Sequence, residues 1–142
     1  MTALLKRPRL SMLGARLVES ETYISNGHWL IAKSRVSPKT LEFMLTKSRR
    51  QVQAMTDEQL DRIVRTPAAK DVTRWEVTDE VSGERRPCRV VRNLTGGHVP
   101  TRTGLAVDYA EWLGIVPGMT LDGNSNGVFT TQAGDVLMEC RL

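Results

Sequence analysis

The sequence predicts an α+β fold: an antiparallel sheet, or sheets, carrying two to three helices. Runs such as Trp29 to Val36 and Val72 to Thr78 alternate apolar and polar residues, the period of a half-buried strand. Between them, S-P-K-T-L-E-F-M-L offers Ser37 as an N-cap and Pro38 at the first helical position, followed by apolar residues at helical spacing. The chain has 142 residues, 15.9 kDa, 40% apolar and 25% charged. That is a single domain, 1–142, large enough to bury a core without staples.

Taken in order, Lys6 to Arg9 form a basic stretch around Pro8, and residues 1–10 read as a flexible N-terminal arm. Ala15 to Val18 and Thr22 to Ile24 favour strands. Asn26-Gly27 then pinches two apolar runs into a hairpin, for which a type I′ turn with positive φ at both central residues is expected. In the helix that starts at Ser37, the residues Leu41, Met44, Leu45 and Ser48 share one face. Lys39, Lys47, Arg49 and Arg50 occupy the others. Thr56 to Gln59, T-D-E-Q, is a capping box ahead of a short helix that Pro67 closes. Val72 to Thr78 and Arg86 to Arg92 read as two strands joined near Ser82-Gly83, with Thr73, Trp75 and Val77 on one side. N-L-T-G-G-H-V-P-T-R-T-G reads as the most flexible loop. V-D-Y-A-E-W-L reads as a third helix, with Tyr109, Trp112 and Leu113 on its buried face. The remainder alternates turns with the short strands M-T-L, V-F-T-T and V-L-M-E-C-R-L.

No apolar run approaches the roughly 20 residues of a membrane span, and the first residues lack the apolar core of a signal peptide. Cys88 and Cys140 form no C-x-x-C pair, so reduced thiols in a cytoplasmic protein are expected. Cys88 and His98 stand ten residues apart, while His28 and Cys140 stand alone, so no chelating pair shares a turn. Asp122 to Gly127 matches the first half of a calcium loop. Ala133 holds the twelfth position in place of the bidentate Glu, and a tight turn is the better reading. Phosphate loops, dinucleotide fingerprints and nucleophile elbows are absent from the sequence. The expectation is a non-enzymatic protein with no catalytic residues, no metal and no cofactor.

Charge is unevenly spread over a net +4. Residues 1–50 carry ten Lys and Arg against three Glu, a balance of +7, while residues 51–142 carry ten basic against thirteen acidic, a balance of −3. A basic first third favours a polyanionic partner, nucleic acid before membrane. With aromatics at 5%, base stacking on single strands is not the expected mode.

Four strings carry a resemblance to a known family. I-S-N-G-H-W-L-I-A resembles the T-D-G-H-R-L-A string of bacterial sliding clamps, the processivity factors of DNA replication. D-V-L-M-E-C-R-L resembles the clamp ending V-V-M-P-M-R-L. L-A-V-D-Y-A-E-W-L is similar to the clamp's N-V-x-Y-L helix, and S-P-K-T-L-E-F-M-L to its P-R-K-x-x-x-E-L-x-x-L helix. Trp29 stands where clamps have Arg, Glu139 where they have Pro and Cys140 where they have Met. Clamp subunits repeat a similar domain, and this chain has room for about one. The resemblance covers roughly half of the chain; Asp71 to Arg92 lies outside it.

In clamps the G-H-x-L turn and the C-terminal segment meet in an apolar pocket that receives short motifs of polymerase and other replication proteins. The resemblance therefore implies a peptide pocket formed by Gly27, His28, Leu30, Val136, Met138, Arg141 and Leu142, with Trp29 on the rim. It implies a clamp-like replication accessory factor, phage- or plasmid-encoded, that holds duplex DNA through its phosphates, binds replication-protein peptides, or both, as a ring of copies, a dimer or a monomer. Lys39, Lys47, Arg49 and Arg50 would contact DNA, assisted by Lys6, Arg7 and Arg9. Two alternatives remain open at this stage: a small basic nucleic-acid-binding regulator of unrelated α+β fold, and an enzyme using His28 or His98 as a base.

Overall fold

The computed structural model describes residues 3–14, 16–48, 52–65, 71–83, 85–95, 101–124 and 126–142. Among the described residues, ten strands and three short helices make an α+β fold built on one mostly antiparallel sheet. The strands are β1 Val18–Glu19, β2 Tyr23–Ser25, β3 Trp29–Ala32, β4 Gln53–Ala54, β5 Thr73–Ser82, β6 Cys88–Asn93, β7 Arg102–Ala106, β8 Thr120–Gly123, β9 Val128–Thr130 and β10 Val136–Met138. Their order across the sheet is β4-β1-β2-β3-β10-β9-β8-β5-β6-β7, and β4 and β1 run parallel while the other described pairs are antiparallel. The helices are α1 Pro38–Lys47, α2 Asp57–Leu60, which runs on as a π-helical turn Asp61–Arg65, and α3 Val107–Trp112.

The joins between local units decide the architecture. Three meanders, β1-β2-β3, β5-β6-β7 and β8-β9-β10, follow the chain. β10 then pairs with β3 through Val136 with Leu30, and β8 with β5 through Trp75 with Leu121. The segment after β10 reaches the outer edge of β7, where Cys140 N–H donates to the Gly104 carbonyl at 2.7 Å and the Thr103 hydroxyl to Glu139 at 2.8 Å. An edge that would otherwise offer unpaired amides is thereby covered. Gly104 is required there: a β-carbon would fall 2.6 Å from the Cys140 carbonyl oxygen and 2.8 Å from the Cys88 β-carbon.

Strand alternation sorts side chains between two cores. Trp29, Ile31 and Leu137 face the larger one with Ile24, Met44, Trp75, Tyr109 and Phe129, under α1 and α3. Leu30 and Val136 face a smaller cluster with Leu60 and Val128 on the opposite side. Ser37 caps α1 by accepting from Thr40 N–H, as its position predicts. The Thr56 capping box is complete, with Thr56 Oγ1 accepting from Gln59 N–H at 3.1 Å and Gln59 Oε1 from Thr56 N–H at 2.9 Å.

Several expectations are corrected. The Asn26-Gly27 turn is not type I′: Gly27 has φ of 91°, but Asn26 is not among the described residues with positive φ. The Asn26 side chain makes the turn instead, Oδ1 accepting from His28 N–H at 2.8 Å and Trp29 N–H at 3.1 Å. Trp29 to Val36 is strand only to Ala32, after which Lys33–Arg35 tightens into a 3-10 turn leading to α1. Arg102 to Gly104, read as loop, open β7, because Thr103, Gly104 and Leu105 pair with Val91, Val90 and Arg89. Residues 3–9, read as part of a flexible arm, lie on the body of the protein: Leu5 and Pro8 are buried, and Leu5 N–H donates to the Arg35 carbonyl at 2.7 Å. Pro67, His98, Arg49 and Arg50 fall outside the described residues.

Candidate functional site

The smaller apolar cluster opens to solvent as a pocket of about 290 Å³. One wall is the turn and β3, through Gly27, His28 and Leu30. A second is β10 with β9, through Val136, Met138 and Val128. Their junction is a main-chain ladder, in which Val136 pairs with Leu30 and Met138 N–H donates to the His28 carbonyl at 2.8 Å. A third wall comes from α2 and its π-helical extension, through Leu60, Ile63 and Val64, with Met55 and Val18 at the base. Apolar side chains dominate this lining, and two methionines give it an adaptable surface.

The third wall is fastened by one carboxylate. Asp57, at the start of α2, accepts from the Ser20 hydroxyl, from Thr22 N–H at 3.0 Å and from the Thr22 hydroxyl at 2.6 Å. These bonds join α2 to the β1–β2 turn and hold the Asp57 carboxyl below its usual range, Ser20 contributing most. Main-chain bonds from Gln53 N–H to Leu17 O and from Met55 N–H to Glu19 O carry the chain to that point.

Of the residues expected to form a peptide pocket, Gly27, His28, Leu30, Val136 and Met138 meet here. Trp29 borders the pocket as well, but not with its ring. Strand alternation turns its ring into the larger core, where it is 1% exposed, packs edge-on against Trp112 at 4.8 Å and donates from Nε1 to the Met12 carbonyl at 3.1 Å. His28 is exposed, with its ring stacked 6.2 Å from that of Tyr109. Arg141 and Leu142 lie elsewhere, because the chain end crosses β7: the Leu142 side chain overhangs Gly104, and exposed Arg141 faces Glu139 at 3.9 Å. Sequence reasoning missed Val18, Met55, Leu60, Ile63, Val64 and Val128. For the helix a signal existed, since the capping box at Thr56 is followed by L-x-x-I-V, an apolar face with no other assignment.

Behind the turn, Asn26 is buried and its Nδ2 donates to the Met12 carbonyl at 3.0 Å and to the Tyr109 hydroxyl at 3.3 Å. Arg86 lies over the Tyr109 ring at 4.5 Å and donates to Asp108 at 3.1 Å. Burial opposes the Arg86 charge, but the Tyr109 and Asp108 partners outweigh it and raise the pKa. On the far side, a larger cleft of about 880 Å³ and mixed polarity runs between the N-terminal arm and the end of α3. Near it Arg35 grips Asp135 with two donors, Nε at 3.1 Å and Nη2 at 3.0 Å, in a pair only 11% and 1% exposed.

The basic residues gather on the arm and α1. The Arg7 guanidinium stacks 4.4 Å from the Phe43 ring of α1, and Trp112 Nε1 donates to the Lys6 carbonyl at 2.7 Å, so the arm runs between α1 and α3. Lys6, Arg7, Arg9, Lys39 and Lys47 are all exposed there. Asp108 and Glu111 on α3 are acidic neighbours. Among the described residues, no cluster of His, Cys, Asp or Glu could hold a metal ion, and no helix is long and apolar enough to cross a membrane.

Comparison of the chain with protein-family models, curated proteins and solved structures returns no match.

Proposed function

We propose that this protein is a non-enzymatic, clamp-like accessory factor that receives a short apolar peptide motif of a replication protein in the pocket between the Gly27 turn, β10 and α2. One observation carries the reading. Two sequence-distant strings that resemble clamp strings, around His28 and around Met138, are hydrogen-bonded neighbours and line one apolar pocket. A pocket of this size and lining suits one or two large apolar side chains of an extended or helical peptide, with the His28 ring beside the opening.

A second part of the reading concerns DNA. Lys6, Arg7, Arg9, Lys39 and Lys47 on the docked arm and α1 support non-specific contact with duplex phosphates. Self-association, a cytoplasmic location and a phage origin remain parts of the proposal that rest on the resemblance and the composition.

The test is a titration of a fluorescent peptide carrying a generic clamp-binding motif. Saturable binding is expected for the intact chain. Binding is expected to survive removal of Arg141 and Leu142, which lie outside the pocket, and to be lost in Ile63→Glu, whose parent side chain is 61% exposed at the rim. Equal binding by the intact chain and Ile63→Glu would place the peptide elsewhere and end the pocket reading. For DNA, affinity should fall steeply with salt, log K against log salt having a slope of about −0.9 per phosphate neutralised. A flat salt response would remove DNA from the proposal.

A further inference from the structure

Cys88 and Cys140 are far apart in sequence and are the chain's two cysteines. The fold brings them together. Cys88 opens β6 and is 0% exposed, its thiol donating to the Arg86 carbonyl at 3.4 Å. Cys140 follows β10 and is half-buried, anchored by its amide to Gly104 of β7. The Cys140 carbonyl oxygen and the Cys88 β-carbon crowd a single point above Gly104, at 2.6 and 2.8 Å, so the two residues lie side by side over one backbone position. Cys140 also lines an open cleft of about 500 Å³ between the Ser82 to Arg86 turn and the chain end, which a small oxidant can enter.

We propose that Cys88 and Cys140 are a reversible oxidation site, closing to an intramolecular disulfide that fastens the end of the chain to β6. Such a bond needs α-carbons within about 7 Å, and atoms of both residues lie 2.6 and 2.8 Å from one point above Gly104.

The oxidant is hydrogen peroxide, and the order of events follows from access. Cys140 meets the peroxide in the cleft, its sulfur attacks one peroxide oxygen, the O–O bond breaks, and Cys140 becomes a sulfenic acid with release of one water. The Cys88 sulfur then attacks the Cys140 sulfur, the S–O bond breaks, the Cys88 proton leaves with the departing oxygen as a second water, and the S–S bond forms. Two thiols lose two electrons in total and one peroxide gains them. Cys88 acts second because it is enclosed. Burial, then the neighbouring Cys140, push its thiol up to about 12, with Arg86 working in the opposite direction. A dithiol reductant reverses the bond by exchange.

The experiment treats the full chain with hydrogen peroxide and maps its peptides without reduction. Expected are loss of both free thiols, a link between the peptides that contain Cys88 and Cys140 within one molecule, and restoration by dithiothreitol. The closed loop should raise the thermal midpoint by about 10 °C over the reduced form. Cys140→Ser, which leaves the buried partner in place, should show no peroxide-dependent rise. Retention of the Cys88 thiol in folded protein while Cys140 is oxidised, survival of both thiols, or links formed only between molecules would each overturn the proposal.

Discussion

Asn26 is the residue whose removal tests the account of the turn most sharply. Its side chain makes four hydrogen bonds: Oδ1 accepts from His28 N–H and Trp29 N–H, and Nδ2 donates to the Met12 carbonyl and the Tyr109 hydroxyl. In Asn26→Ala the four losses are unequal. The Met12 carbonyl retains the Trp29 Nε1 donor, and the Arg86 guanidinium still lies over the Tyr109 ring. His28 is exposed, so water can reach its amide. The buried Trp29 N–H keeps no acceptor in this arrangement, at a cost of about 1–3 kcal/mol, and the other changes add about 1 kcal/mol net. The expected total is about 2–4 kcal/mol, or a fall of roughly 6–12 °C in the thermal midpoint for a domain of this size. Chemical denaturation of Asn26→Ala, Tyr109→Phe and the double variant would measure it. Because the two side chains are bonded to each other, the double variant should cost less than the sum by about 0.5–1.5 kcal/mol. A loss under about 1 kcal/mol for Asn26→Ala, or strict additivity in the cycle, would refute the claim that the amide builds the turn and braces it on Tyr109.

Other outcomes follow from named contacts. Asp135→Ala should cost about 3–5 kcal/mol by stranding Arg35 in a site 11% exposed, while Arg35→Met with Asp135→Leu should cost much less, as denaturant midpoints would show. Asp57 has a folded pKa below its ordinary 3.8, so it contributes stability that is present above that value and is lost as pH falls through the lowered one. Acid unfolding of Asp57→Asn should therefore be less pH-dependent in that window, and peptide binding by the parent should decline there as α2 loosens; identical acid profiles would show that Asp57 does not hold α2. Ile63→Glu should leave stability within about 0.5 kcal/mol of the parent, as expected for an exposed position, while abolishing peptide binding.

Local features were legible wherever a few neighbouring residues settle the energetics. Ser37 with Pro38, and Thr56 with Gln59, specify helix starts through bonds that span three residues, and both formed as read. The alternation around Trp75 and Val77 identified the inward side of β5, whose two aromatic neighbours Trp75 and Phe129 meet edge-on at 5.3 Å. Period-2 alternation also separates Trp29 from Leu30. It does not say which face is the larger core, and for that reason it could not show that the Trp29 ring is buried there while the residue borders the pocket.

By itself the sequence determined an α+β domain, its helix starts, the position of the Asn26-Gly27 turn and a basic first third, because propensity, capping and charge act over a few residues. The tertiary structure decided the rest. It set β10 beside β3, swung α2 over Leu30 and Val136, carried Arg141 and Leu142 away across β7, and laid Cys140 over Gly104 next to Cys88. Each of these depends on contacts between segments tens of residues apart. Such contacts are selected by which apolar faces can be buried together and which backbone edges can be paired, and a one-dimensional pattern does not contain that choice.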